Sequence, residues 1–135
     1  MREILFRGKT VQNKWIEGDL YRSRLKSTFM ISYYTQYGNR MTEHVKTETV
    51  GQYTGLTDKN GTKIFEGDIV STDITRPYLI VEFRDGCFMF NCNDGGEDYY
   101  DIMLPICKEA HTVYEYGEVI GNIHDNPELM KGGDG

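Results

Sequence analysis

Two short stretches bring carboxylates within two residues of each other: Glu17-Gly18-Asp19 and Glu66-Gly67-Asp68. Carboxylates spaced by two on a strand project from the same face, the arrangement needed for general acid–base work or for a shared metal ion. Such chemistry also needs a partner group, a His or Lys base, and the local spacing supplies none. The same residues have a structural use. Glycine weakens a strand unless a bend, a bulge or a close backbone approach requires it, and an Asp beside it readily accepts hydrogen bonds from nearby backbone N–H groups. The pattern therefore predicts a turn ahead of a new strand in each copy, built from Glu17, Gly18 and Asp19 and from Glu66, Gly67 and Asp68, and no catalytic residues.

Other chemistry-bearing residues are weaker candidates. His44, His111 and His124 are scattered, with no spacing that assembles a zinc site. Asp94-Gly95-Gly96-Glu97-Asp98 is rich in oxygen but lacks the calcium-loop spacing, so it reads as a solvated acidic loop. Cys87, Cys92 and Cys107 are an odd set without metal spacing, as expected of a reducing compartment. No Gly-rich phosphate loop occurs. No cofactor and no metal are expected. The densest basic run, Arg22-Ser23-Arg24-Leu25-Lys26, adjoins Trp15, Tyr21, Phe29, Tyr33, Tyr34 and Tyr37. Basic side chains beside aromatics line single-stranded nucleic-acid grooves, so Arg22, Arg24 and Lys26 are candidate nucleic-acid contacts. The opposing reading is a solvated hairpin tip beside core aromatics. The net charge of -6 favours it, because an acidic protein repels a polyanion.

These residues need elements to hold them, and the carboxylate motif recurs within a longer pattern. Phe6-Arg7-Gly8 precedes a polar turn and Trp15-Ile16-Glu17-Gly18-Asp19-Leu20. Tyr53-Thr54-Gly55 precedes a polar turn, signalled by Asp58-Lys59-Asn60-Gly61, and Ile64-Phe65-Glu66-Gly67-Asp68-Ile69. Gly8 and Gly55 join the structural motif residues, and the pair suggests a duplication. Elsewhere, alternation with period two dominates and helical periodicity is weak. Ser27–Tyr37 puts Phe29, Ile31 and Tyr33 on one face. His44–Tyr53 is a β-branched run with one polar side. Tyr78–Cys92 reads as a hairpin with a type I′ turn at Asp85-Gly86. Tyr99–Leu104 and Glu118–Ile123 are further strands, and Asn126 and Pro127 start one helical turn. The fold class is mainly β: short antiparallel strands in one or two small SH3-like barrels, with little helix. The division expected is a basic β subdomain over 1–52, an acidic SH3-like subdomain over 53–130 and a tail over 131–135.

The chain of 135 residues has no apolar run of membrane-spanning length and no secretory h-region at its start. Charge is segregated. Residues 1–63 carry 11 Lys/Arg against 6 Asp/Glu, net +5, and residues 64–135 carry 4 against 15, net -11. Opposite charges at the two ends favour head-to-tail contact between copies.

Three segments together resemble the YopX family: Arg2–Gly8, Val50–Val70 and Val119–Leu129. The resemblance implies a phage or prophage protein of Firmicutes that forms a homo-oligomer, and it brings no catalytic residues with it. The function expected is a non-enzymatic, self-assembling protein-binding module in the bacterial cytoplasm, away from membranes, with a host or phage protein as partner. The two-faced apolar strand Thr28–Tyr34 supplies the candidate interface residues Phe29, Ile31 and Tyr33. A nucleic-acid-binding β-barrel is the alternative.

Overall fold

A computed structural model describes residues 3–24, 28–72, 78–94, 97–102, 113–114 and 117–131. Lys26, Gly95, Gly96, Cys107 and His111 lie outside them, as do the side chain of Cys92 and residues 132–135. The chain is mainly antiparallel β and divides into two compact units between Tyr53 and Thr54.

The first unit contains β1 (Phe6–Lys9), β2 (Trp15–Arg22), β3 (Phe29–Tyr34), β4 (Arg40–Val45) and a single 3₁₀ turn (Thr47–Thr49). It ends in the first residues of β5 (Gly51–Asp58). Strands β1 to β4 form an antiparallel meander, and Gly51 and Gln52 pair with Arg7 and Phe6 on the free side of β1. The end of β4 comes back to the end of β1 through a Thr10–Val45 bridge and a Lys46 N–H donated to the Lys9 carbonyl at 2.7 Å. Alternation sorts the side chains. Ile16, Ile31 and Val45 form the buried core, with Phe6, Leu20, Phe29, Tyr33 and Val50 packed against it.

The β-branched run His44–Tyr53 is not one strand. Thr49 Oγ1 donates to the Lys46 carbonyl at 2.6 Å and accepts the Lys9 N–H at 2.8 Å, which holds the 3₁₀ turn in its middle. Likewise Ser27–Tyr37 ends as a strand at Tyr34, because Thr35 opens a turn.

The second unit takes the rest of β5, then β6 (Lys63–Phe65), β7 (Asp68–Thr72), β8 (Leu79–Arg84), β9 (Cys87–Asp94), β10 (Glu97–Ile102), β11 (Val113–Tyr114), β12 (Gly117–Asn122) and a second 3₁₀ turn (Pro127–Lys131). Its five-stranded antiparallel sheet runs β10-β9-β8-β7-β12. Asp85 and Gly86, at φ 52° and 80°, make the two-residue turn between β8 and β9, with Arg84 opposite Cys87. The acidic segment after Asn93 is part of a β9–β10 hairpin and not a free loop, since Glu97 pairs with Asp94 and Asp98 with Asn93. Leu56, Ile64, Val70, Val81 and Phe90 form the core, with Leu79, Phe88 and Val119 against it. Lys131, expected in a tail, belongs to the second 3₁₀ turn.

One turn design occurs three times. Thr10, Thr35 and Asp58 each donate N–H to the carbonyl four residues on (Lys14, Asn39, Thr62) at 2.8–2.9 Å. Each carbonyl accepts from the residue three on, which has positive φ: Asn13 at 63°, Gly38 at 83° and Gly61 at 84°. Each side-chain oxygen accepts the N–H groups two and four residues on, at 2.9–3.3 Å. This is a three-residue hairpin loop closed by a left-handed residue and capped by its own first side chain.

Candidate functional site

The two Glu-Gly-Asp motifs occupy different geometries. In the second unit, Gly67 has φ 92° between β6 and β7 and makes the predicted turn. Asp68, 1% exposed, accepts the Phe65 N–H on Oδ2 at 2.7 Å, and Gly67 donates to the Val81 carbonyl at 2.8 Å. In the first unit, Gly18 lies inside the uninterrupted strand β2 and not at a turn. A Cβ there would stand 2.1 Å from the Ser32 carbonyl oxygen, so its glycine serves close approach of β3. Gly8 likewise faces Val45, whereas Gly55 has φ 89°. Glu17 follows Thr10 by seven positions and Glu66 follows Asp58 by eight. One residue of offset from an identical turn reverses which face each position takes. The two stretches therefore share a sequence signature and an opening turn but are not a structural repeat of the carboxylate motif.

The carboxylates do not form one site. Glu17 and Asp19 are exposed on the outer face of β2, and Asp68 is committed to backbone. Asp58, also 1% exposed, is more committed still: Oδ1 accepts the Asn60 and Thr62 N–H groups and Oδ2 the Val119 N–H at 2.8 Å. Sequence reading marked Asp58 only as a turn residue. Among the described residues, no three His, Cys, Asp or Glu side chains converge as metal ligands, and no helix is long and apolar enough to cross a membrane.

The candidate interface residues are placed inward. Ile31 is 0% exposed at the centre of the first unit's core, with Phe29 and Tyr33 packed on it. Tyr33 donates its hydroxyl to Glu43 Oε2, and that bond, with burial and the Glu43 charge, raises the phenol above its usual range. An apolar strand face of this kind closes the core, which is why Ile31 cannot serve as an interface residue.

The opposite face of the same sheet is polar, aromatic and open. Its register aligns Lys9 with Trp15, Arg7 with Glu17, Asp19 with Ser32 and Thr42, Tyr21 with Met30 and His44, and Tyr34 with Arg40. The Arg7 guanidinium lies 4.7 Å and the Lys9 ammonium 5.6 Å from the Trp15 ring centre. Arg40 donates Nε to Ser32 Oγ at 2.7 Å and Nη2 to the Tyr21 hydroxyl. Its guanidinium stands 5.8 Å and 5.9 Å from the Tyr21 and Tyr34 rings. Tyr34 is 68% exposed and Tyr21 42%. Ordered cation–aromatic groups of this kind are preorganised for binding.

The basic run is only partly here. Arg22 pairs with Phe29, so strand alternation sends it to the side opposite Tyr21, and Arg24 is exposed in the following turn. Lys26 lies outside the described residues. Arg7, Lys9 and Arg40 were missed because they are dispersed in sequence. Cross-strand pairing gathers them, and the pairing depends on the loops at Thr10 and Thr35.

No curated protein matches the chain. It is similar to the crystal structure of protein EF1440 from Enterococcus faecalis, at 25% identity over 96% of this chain and 99% of that one, with a TM-score of 0.46. The model of the YopX family, described as YopX protein, matches residues 5–131. The chain therefore belongs to the YopX family.

Proposed function

We propose that this chain is a non-enzymatic, self-assembling protein-binding module, made of two small SH3-like β units and acting in the cytoplasm of a bacterial cell that carries a phage or prophage. The observation that carries the reading is the coincidence of charge with structure. Residues 1–53 hold 9 Lys/Arg against 5 Asp/Glu, net +4, and residues 54–135 hold 6 against 16, net -10. Complementary surfaces on one chain attract between copies and set their orientation. Commitment of Asp58 and Asp68 to backbone N–H groups also favours binding over catalysis.

Light scattering of the full chain at about 50 mM and about 500 mM salt tests it, since screening shortens the reach of charge between these limits. Assembly that weakens with salt is expected. A monomer at every ionic strength and concentration sinks the reading.

A second reading, binding of single-stranded nucleic acid, draws on the Arg7–Trp15 and Arg40–Tyr34 groups. Retention of a labelled oligothymidylate that falls steeply with salt is its expected signature.

A further inference from the structure

We propose that the outer face of β2, β3 and β4, centred on Arg40 between Tyr21 and Tyr34, docks the acidic second unit of another copy. The inference rests on the self-assembly reading above and locates its basic half. Three observations select this face. First, it is open: Tyr21 and Tyr34 are exposed, whereas the other face of the sheet is the core. Second, its chemistry is that of protein interfaces. Tyr, Trp, Met and Arg are enriched there, and Trp15, Tyr21, Tyr34, Met30, Arg7 and Arg40 share this side. Arg40 is also held in advance by Ser32 and Tyr21, so little side-chain freedom is lost on docking. Third, the face mixes signs. Exposed Glu17 and Asp19 stand among Arg7, Lys9 and Arg40. A polyanion meets repulsion from such a mixture, whereas a folded acidic surface can place its own charges to match. Residues 54–135 are net -10 in sequence, and although Asp58 and Asp68 are buried, Asp85, Asp125 and Glu128 are exposed, so acidic groups are present at the same concentration as their acceptor.

The test compares Arg40→Glu, Tyr34→Ala and Arg22→Glu in the full chain. Arg40→Glu and Arg22→Glu change net charge equally, but Arg22 pairs with Phe29 and points to the other side of β2. Circular dichroism verifies folding, and Tyr34→Ala, at an open position, guards against loss of the fold. Expected is a rise in the half-assembly concentration of about tenfold or more for Arg40→Glu and Tyr34→Ala, the size of a hot-spot loss, and little change for Arg22→Glu. If the wild type assembles in a salt-dependent way and all three variants assemble alike, the face is wrong while self-assembly stands. Equal weakening by Arg40→Glu and Arg22→Glu also overturns the face, leaving only net charge. If the wild type never assembles, both fail. Retention of oligothymidylate by the wild type, lost in Arg40→Glu, assigns the face to nucleic acid and overturns docking of a second copy.

Discussion

Asp58 Oδ2 accepts the Val119 N–H at 2.8 Å, tying the β5–β6 loop to strand β12 across 61 positions of sequence. The other oxygen closes the loop itself. One buried carboxylate thus satisfies three backbone donors, and the loop and the strand are positioned by the same side chain.

Asp58→Ala leaves those donors without their acceptor. A loss of about 3 kcal/mol in urea unfolding is expected, because each orphaned donor costs about 1–3 kcal/mol and their effects overlap. Thr35→Ala, at the same turn position but with its bonds open to solvent, should cost under about 1 kcal/mol, since water replaces them. Equal losses would mean that the link to Val119 contributes nothing.

Gly18 and Gly67 should respond differently to alanine. Gly18→Ala places a Cβ 2.1 Å from a backbone oxygen, which only strand displacement relieves, so a loss above about 3 kcal/mol or failure to fold is expected. Gly67→Ala meets a positive φ of 92° and should cost about 1–2 kcal/mol. Thermal unfolding ranks the two. The reverse order would restore the turn reading for Gly18.

Ile31→Ala should destabilise by about 2–5 kcal/mol through the cavity it leaves in the first unit, with no direct effect on assembly once folded. Half-assembly concentration measured well below the unfolding midpoint separates the two effects. Weakened assembly of a fully folded Ile31→Ala protein would return this strand face to the interface.

High pH should destabilise the first unit through two phenols. The Glu43 hydrogen bond raises Tyr33, and burial, with the Glu3 charge, raises Tyr53. The native state then holds these protons more tightly than the unfolded chain. Their contribution is complete below about pH 10 and is lost as pH rises through the native values. Denaturant midpoints measured from about pH 9 to 11 should fall, and the fall should be shallower in the double variant Tyr33→Phe/Tyr53→Phe. An unchanged slope assigns the effect to other groups.

Local signals in the sequence were read where one residue type forces one backbone. Asp85-Gly86 announced its hairpin, Asp58-Lys59-Asn60-Gly61 its turn, and period-two alternation the mainly β fold. Apolar alternation found the right face of β3 but not its environment, because Phe29, Ile31 and Tyr33 look the same whether they line a core or an interface. The 3₁₀ turn at Thr47–Thr49 was hidden because Thr49 bonds Lys9, forty residues away. The Arg40 group was hidden for the same reason: Tyr21, Ser32, Tyr34 and Arg40 meet only after three strands are in register. The duplication suggested by two identical tripeptides dissolved on a one-residue difference in distance from their preceding turns.

The loops opening at Thr10, Thr35 and Asp58 are variants of one part. All three leave and re-enter their hairpins through the same pair of backbone bonds, so exchanging the intervening residues keeps the strands in phase. The chain already varies what it displays at each tip, with Val-Gln-Asn, Gln-Tyr-Gly and Lys-Asn-Gly, on the same closing bonds. A five-residue cassette with a first oxygen that accepts and a left-handed fourth residue lets each hairpin change its tip while its own two strands stay in register.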